Sequence, residues 1–125
     1  MKGRGFTLIE LLITMAILAI VVSIALPTYT RYVARARQED ARVQLTAIRQ
    51  AQEIYKLQYT TYTNQIALLS GWKTTSGRYT FSVTAFGPAT FAAQATGNID
   101  GDVTQDVWTM DQDGNLLNTT DDVRN

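Results

Sequence analysis

The chain has 125 residues, no cysteine, no histidine and equal numbers of acidic and basic side chains. This length suits one small domain and leaves no room for a second. The composition excludes a disulfide framework and removes the usual general base and the commonest zinc ligand. Because the sequence also lacks a nucleophile elbow, a Walker loop and a dinucleotide fingerprint, we expect a protein that is not an enzyme.

The N-terminus joins a short basic leader to a long apolar run. Residues 6–26 are interrupted by few polar side chains, namely Thr7, Glu10, Thr14 and Ser23. A helix over this run measures about 31 Å, which is enough to cross a bilayer. Lys2 and Arg4 supply the positive flank that stays in the cytoplasm, so the chain beyond the run is predicted to be translocated.

The order Gly5-Phe6-Thr7-Leu8-Ile9-Glu10 after this leader resembles the class III leader of type IV pilins and of type II secretion pseudopilins. The resemblance implies that a prepilin peptidase removes residues 1–5 by cutting between Gly5 and Phe6, and that Phe6 is then N-methylated. It also implies a single-pass precursor in the inner membrane. An inner-membrane assembly platform would then build the subunits into a homo-oligomeric extracellular filament on the cell surface.

Glu10 is costly in such a segment, because a carboxylate at the centre of a membrane helix costs roughly 2.5–3.5 kcal/mol. Cleavage creates an ammonium group at Phe6 that can compensate this charge. The pair can form within one helix, where the two groups lie about one turn apart. By the resemblance, Glu10 instead reaches the Phe6 amine of a neighbouring subunit and sets its axial register. Removal of one partner of a buried pair costs on the order of 3–5 kcal/mol.

Two other interpretations of the apolar run stay open. Ser23-Ile24-Ala25 has the small residues of a secretory cleavage site. However, a signal-peptide core is usually about 7–15 residues long and lacks an acidic residue. The second alternative is a plain single-span anchor that tolerates Glu10.

The second part of the predicted helix is amphipathic. Pro27 lies inside it, and we expect a kink or a loosened turn there. Beyond it, apolar or small residues recur with nearly the helical period, at Tyr29, Val33, Ala36, Ala41, Leu45, Ile48, Tyr55 and Tyr59. One helix is therefore predicted from Phe6 to about Tyr59, divided into residues 6–27 in the membrane or filament core and amphipathic residues 28–59. Its heptad pattern is poor, which favours cover by a sheet over a coiled coil.

The remaining chain alternates turn residues with short strands. Residues 60–78 are predicted as the αβ loop, with a short helical turn at 65–70. Residues 79–125 are predicted as an antiparallel sheet and a polar tail, with strands at 79–86, 90–95, 107–110 and 115–117 and a tail from 118. The expected fold class is α+β, in which one long N-terminal helix packs on a small four-stranded antiparallel meander. This arrangement resembles the pilin fold.

The loop between the second and third predicted strands is rich in oxygen-bearing side chains. Asn98, Asp100, Asp102 and Asp106 alternate along it. Because calcium binds six to eight oxygens, often from one flexible loop, these residues form a candidate calcium site. The loop does not match the EF-hand pattern, and the alternative is an Asx-rich turn in which the aspartates cap backbone donors.

Charge is distributed unevenly along the chain. Residues 31–56 contain six basic side chains against three acidic ones, whereas residues 98–125 contain seven aspartates and one arginine. The simple interpretation is a solvated helix face and an acidic tail. The alternative is that the helix of one subunit meets the sheet of another, which would make assembly sensitive to salt. Because the basic residues lie on a helix that a filament would bury, the sequence disfavours nucleic acid as a partner.

The predicted function is that of a structural subunit of a type IV pilus filament, a fibre for adhesion or twitching motility. The alternative is a minor pilin or a type II secretion pseudopilin. A tip adhesin that borrows the pilin anchor would need a further domain, which the residues after the helix do not provide. Tyrosines along the helix are explained by packing and interfacial anchoring more simply than by charge conduction.

Overall fold

A computed structural model describes residues 3–69 and 75–123 of the chain. Within them, one long helix is followed by a 3₁₀ turn and a five-stranded antiparallel sheet, in which each strand pairs with the next along the chain. The elements are α1 (Leu8–Tyr59), η1 (Ile66–Leu68), β1 (Thr75–Ser76), β2 (Tyr79–Phe86), β3 (Phe91–Gly97), β4 (Asp106–Asp111) and β5 (Leu116–Thr120). This confirms the predicted α+β meander and adds the two-residue strand β1 before the four predicted strands.

The helix begins at Leu8, two residues after the predicted start at Phe6. Thr7 is its N-cap, because the Thr7 hydroxyl accepts a hydrogen bond from the backbone N–H of Glu10. The Glu10 carboxylate in turn accepts one from the backbone N–H of Thr7. This reciprocal pair is a capping box, for which Thr-x-x-Glu is the sequence signature. The start at Phe6 was wrong because it was judged on hydropathy and ignored this signature.

The helix is continuous through Pro27, where a kink or a loosened turn was expected. Proline has no N–H to donate to the carbonyl of Ser23. The Ser23 hydroxyl donates to the carbonyl of Ile20 at 2.7 Å, and the Thr28 hydroxyl donates to that of Ile24 at 3.0 Å. Hydroxyl groups on both sides of Pro27 therefore hydrogen bond to carbonyls of the preceding turn, a pattern that often bends helices.

From residue 34 onwards, one face of α1 is covered by the sheet. The buried side chains of this face are Ala34, Ala41, Leu45, Ile48 and Gln52. Their spacing follows the period of an amphipathic helix. The predicted stripe was wrong at Tyr29, Ala36 and Tyr59, which are exposed. Tyr29 precedes the covered turns, Tyr59 ends the helix, and Ala36 lies about 200° around the helix from Ala34.

The sheet buries the alternate residues that face the helix. Tyr79 and Phe81 of β2 are buried, as are Phe91, Ala93 and Ala95 of β3. Strands β3 and β4 contact α1 directly. The small alanine side chains of β3 allow the helix to pack closely, and Leu45 and Ile48 supply the larger apolar volume on the helix side.

The segment between helix and sheet is tied to the core. Thr60 ends α1 with a left-handed backbone, φ 59°. The buried Gln52 side chain donates to the carbonyl of Thr63 at 2.6 Å and accepts from its N–H at 3.0 Å. Tyr62 and Ile66 are buried against the sheet, and η1 confirms the predicted helical turn. Residues 70–74 of the predicted αβ loop lie outside the described residues.

The C-terminal segment is more ordered than the predicted polar tail from residue 118. Strand β5 runs to Thr120, and Asp122 is 3% exposed. The sequence predicts a tail that is either loosely held or packed on a neighbouring subunit. Loose attachment is wrong for residues 118–122, because the polar residues of β5 lie at the edge of the sheet, where water can solvate them. Residues 124–125 lie outside the described part of the chain.

Candidate functional site

The N-terminal half of α1 has no cover in this structure. Every described residue from 3 to 32 is exposed, including Phe6 at 76% and Leu18 at 60%. The most apolar window of the helix has a mean hydropathy of 2.7, and none of it is buried. Among the described residues, α1 is the one helix that is long and apolar enough to cross a membrane. Because so large an apolar surface is not stable in water, lipid or other protein must cover it.

Glu10 lies at the N-terminal end of this apolar surface, and among the described residues its carboxylate makes local hydrogen-bond contacts only. Its carboxylate lies 3.4 Å from the backbone nitrogen and 3.4 Å from the hydroxyl of Thr7. Both distances exceed the usual range for strong hydrogen bonds, so these contacts are weak. The carboxylate is exposed and accessible to a stronger cationic partner from outside.

The predicted processing residues precede the helix. Gly5 and Phe6 are exposed and lie in non-helical backbone immediately before the N-cap. An extended, accessible segment is the backbone conformation that a peptidase can bind. Met1 and Lys2 of the predicted leader lie outside the described residues.

Asp106 lies in the hydrogen-bond network that joins helix, sheet and tail. Its Oδ2 accepts from the Tyr79 hydroxyl and the Trp108 indole N–H, both at 2.5 Å. Its Oδ1 accepts from the side chains of Gln38 and Asn118 and from the backbone N–H of Asp122, at 2.9, 3.2 and 3.2 Å. Burial and the hydrogen bond to this carboxylate raise the pKa of Tyr79 far above its usual value. The oxygens of Asp106 are fully used, so Asp106 acts as a structural centre of the fold.

A second acidic cluster contains Asp100, Asp102 and Asp122. One carboxylate oxygen of each lies within 4.8 Å of the others. Burial, followed by the charges of Asp100 and Asp102, raises the pKa of Asp122, whereas the hydrogen bond from the Ile99 N–H lowers it. Of the predicted calcium ligands, the structure brings Asp100 and Asp102 together and leaves Asp106 outside this cluster. The Asn98 side-chain oxygen already accepts from the Gly101 N–H at 2.6 Å.

Asp122 is the functional candidate that the sequence interpretation missed. It was assigned to the polar tail, which was not considered as a source of ligands. The signal that could have found it is the pair Asp121-Asp122 directly after β5, since β5 returns beside β4 and its end lies near the acidic loop.

Two arginines of α1 bind backbone carbonyls of their own chain. The Arg37 guanidinium donates to the carbonyl of Ile99, and Arg49 Nε donates to that of Gln112 at 3.1 Å. Arg42 lies over the ring of Trp108, 5.9 Å from its centroid. Part of the basic face of the helix is therefore used within the subunit, to hold the loops at either end of the sheet.

The fold and the exposed apolar helix together define a pilin-like protein. The solved structure of the non-core minor pilin PilV of Neisseria meningitidis superposes with a TM-score of 0.60, over 71% of this chain and 89% of that one. Its sequence identity is 24%, so this likeness shows the fold alone.

Sequence comparisons define the family. Residues 1–26 match the prokaryotic N-terminal methylation motif, and residues 27–106 match the family described as type IV minor pilin ComP, DNA uptake sequence receptor. A fimbrial protein of Neisseria meningitidis is 30% identical over 118 residues, which are 90% of this chain and 69% of the relative. The chain belongs to the type IV pilin family and carries a class III leader.

Two further relatives are major pilins. The type IV major pilin PilA of Myxococcus xanthus is 40% identical over 68 residues, or 52% of this chain. The wide-pilus major component PilA4 of Thermus thermophilus is 39% identical over 84 residues, or 66% of this chain. The matches span 31% and 64% of these two relatives, so the likeness is concentrated in part of each.

Proposed function

We propose that the chain is a structural subunit of a type IV pilus filament and polymerises through the apolar half of α1. The observation that carries this proposal is the uncovered helix surface of residues 8–32, which continues directly into a half that the sheet does cover. A bilayer covers this surface in the precursor, and neighbouring subunits cover it in the fibre. The bundled helices form the filament core, and the sheets face outward.

Processing prepares the helix for assembly. A prepilin peptidase cuts between Gly5 and Phe6 on the cytoplasmic side, and Phe6 becomes the N-methylated first residue. The match of residues 1–26 to the methylation motif supports this step, as does the exposed backbone at the cut. The precursor is held in the inner membrane by a single span, and the assembled fibre lies at the cell surface.

The new ammonium group of Phe6 is a cationic partner for Glu10, whose carboxylate forms no salt bridge among the described residues. The weak contacts of Glu10 with Thr7 support this proposal, because little is lost when the carboxylate exchanges them for a charge. Pairing with the amine of a neighbour fixes the axial register of the subunits. Pro27, which removes one hydrogen bond from the exposed half, gives α1 local freedom to adjust as the helices bundle.

The other partners follow from this role. Assembly requires an inner-membrane platform and further copies of the chain, and the fibre serves adhesion or twitching motility. Type IV pilins are structural proteins, and we propose that this chain likewise has no catalytic activity.

A second candidate is a minor pilin or a type II secretion pseudopilin. The match of residues 27–106 to a family named for a minor pilin favours it, since that match covers most of the sheet. The family name also describes a receptor for DNA. For this chain we do not favour nucleic acid as a partner, because Arg37 and Arg49 are bound to carbonyls of their own chain.

Mass spectrometry of filaments sheared from the cell surface tests the proposal. We expect an abundant mature chain that begins at methylated Phe6. A mature chain found only in the inner membrane or as a trace component would favour the minor-pilin or pseudopilin role. A chain that retains Met1, or that begins near Leu26, would overturn both.

A further inference from the structure

We propose that residues 29–35 of α1 bind the phosphate groups of anionic phospholipids in the membrane leaflet next to the sheet. The side chains of this surface, which we call the interfacial segment, are Tyr29, Arg31, Tyr32 and Arg35. This surface requires the membrane span proposed above and does not depend on the filament. It holds α1 at a fixed depth in the bilayer before assembly.

The two arginines of the interfacial segment have no partner within the part of the chain that the structure describes. Arg31 and Arg35 are exposed, and neither donates a side-chain hydrogen bond to a described residue or forms an ion pair with one. The next three arginines of α1 are each engaged within the subunit, namely Arg37, Arg42 and Arg49. Two spare guanidinium groups are therefore left at the end of the helix that continues into the apolar half.

The spacing of the two arginines suits phosphate. Arg31 and Arg35 are four residues apart in one helix, so their side chains lie on the same face one turn apart. The planar guanidinium group matches the geometry of phosphate oxygens and binds them through two parallel hydrogen bonds. The pair can therefore bind two neighbouring headgroups or both sides of one.

The position of the arginines along α1 matches the headgroup layer of a bilayer. Residues 8–26 measure about 29 Å along the helix axis, close to the hydrocarbon thickness of about 30 Å. Arg31 lies about 8 Å beyond Leu26, and Arg35 lies about 14 Å beyond it. The headgroup layer on each side is about 5–8 Å thick. Because helical side chains tilt toward the N-terminus and arginine is long, both guanidinium groups can reach back to the headgroups.

Two exposed tyrosines accompany the arginines. Tyr29 is 66% exposed and Tyr32 is 73% exposed. Tyrosine is enriched where a membrane meets water, because its ring is apolar and its hydroxyl can bind headgroups or water. An acidic surface on a second copy of the chain would pair with the arginines and leave the tyrosines unexplained. The combination favours a lipid surface.

The acidic loop between β3 and β4 lies at the same end of the sheet. Asp100 lines a cavity of about 160 Å³ together with Thr30, Arg31 and Ala34. Negative charge at this level repels an anionic bilayer. Arg31 and Arg35 offset that repulsion, so their removal should weaken lipid binding more than removal of an arginine further along α1.

Native mass spectrometry of the full chain tests the proposal. The chain is purified in a neutral detergent with equal amounts of phosphatidylglycerol and phosphatidylcholine, and the lipids that stay bound are counted. We expect the wild type to retain phosphatidylglycerol preferentially. Arg31→Gln and Arg35→Gln should each lower this preference about fivefold, and the double variant should lower it about tenfold or more. Lys2 and Arg4 are present in every variant, so differences between variants report on the interfacial segment.

Two controls separate charge from position. Arg42→Gln removes the same charge from the covered half of α1 and should keep the wild-type preference. The double variant Arg31→Lys with Arg35→Lys retains both charges and should bind more phosphatidylglycerol than the double glutamine variant. Equal preference in the wild type and the double glutamine variant would overturn the proposal.

Two further results would assign the arginines to another ligand and overturn the lipid assignment. The first is displacement of phosphatidylglycerol by an equal concentration of soluble glycerol phosphate, which would identify a free anion as the ligand. The second is a double glutamine variant that loses self-association but keeps its lipid preference, which would identify a second copy of the chain as the partner.

Retention in vesicles separates the lipid site from the membrane span. The wild type and all variants should stay in the vesicle membrane after an alkaline carbonate wash, because residues 8–26 are unchanged. If the wild type is washed out, the proposed span is wrong, and the lipid site is wrong with it. If the wild type is retained but shows no preference for phosphatidylglycerol, the lipid site alone is wrong.

Discussion

The two halves of α1 belong to one continuous helix but have opposite relations to the rest of the fold. Residues 8–32 are exposed throughout and apolar, whereas residues 34–59 bury one stripe against the sheet and expose charged side chains on the other faces. Sheet, loops and tail all contact the second half. The fold of the subunit is therefore complete without the first half.

The two halves of α1 are therefore under different constraints, one from packing within the subunit and one from contacts outside it. The second half is constrained by packing within the subunit, where a change of volume or a lost hydrogen bond lowers the free energy of unfolding. Under the proposed function, the first half is constrained by lipid and by neighbouring subunits, so its substitutions should change insertion or assembly and leave the sheet intact. Paired substitutions in the two halves can test this separation.

The largest difference in stability loss is expected between two leucine-to-alanine variants, one in each half of α1. Leu45 is fully buried, and Leu18 is 60% exposed. Leu45→Ala should lower the free energy of unfolding by about 2–5 kcal/mol, because it leaves a cavity between helix and sheet. Leu18→Ala should change it by less than about 0.5 kcal/mol. Urea unfolding in detergent, followed by near-ultraviolet circular dichroism, measures both. Similar losses in the two variants would contradict the separation.

The next largest loss of unfolding free energy is expected for substitution of Asp106. Asp106→Ala removes the acceptor of the Tyr79 hydroxyl and the Trp108 indole and should cost about 2–4 kcal/mol, because buried donors are left unpaired. The same unfolding measurement applies. Asp113→Ala is the exposed control and should have little effect. Membrane insertion of the precursor should be unchanged, since it depends on the other half of the helix.

A smaller loss of stability is expected from Tyr62→Phe, just after the covered half of α1. The Tyr62 hydroxyl donates to the Glu53 carboxylate at 2.8 Å, and Tyr62→Phe should cost about 1 kcal/mol. Burial and the Glu53 hydrogen bond raise the pKa of Tyr62 above 10.0. The stabilisation from neutral Tyr62 is therefore present below the unfolded pKa and is lost as pH rises through the folded one. Absorbance titration at alkaline pH should show one late-ionising phenol fewer in Tyr62→Phe.

Local signals in the sequence were sufficient for most of the architecture. Alternation in β2 and the turns around Gly87 and Gly114 located the sheet strands, and the apolar run with its basic flank located the exposed half of α1. The helix start was missed although the Thr7–Glu10 signature was present. That error came from the use of one signal, hydropathy, where capping chemistry sets the boundary.

The acidic sites could not be predicted in the same way. Asp102 and Asp106 lie in one loop-to-strand segment and look equivalent in sequence. Asp106 is nevertheless buried among five donors, whereas Asp102 lies in a cluster with Asp122, which follows the edge strand β5. These roles depend on which strands are neighbours and on which face each residue lies. Sequence spacing alone does not contain that information.

The most direct test of the filament proposal is the yield of sheared filaments from Glu10→Gln. Glutamine keeps the shape of the side chain and removes the charge that is proposed to pair with the Phe6 ammonium of a neighbour. Glu39→Gln, in the covered half, is the control. We expect both precursors to insert and fold, and Glu39→Gln to give the wild-type yield of filaments. The filament yield of Glu10→Gln should be lower by a factor of about ten or more, because the buried Phe6 ammonium is left without its partner. Wild-type yield from Glu10→Gln would contradict the proposal that this pair directs assembly through the exposed half of α1.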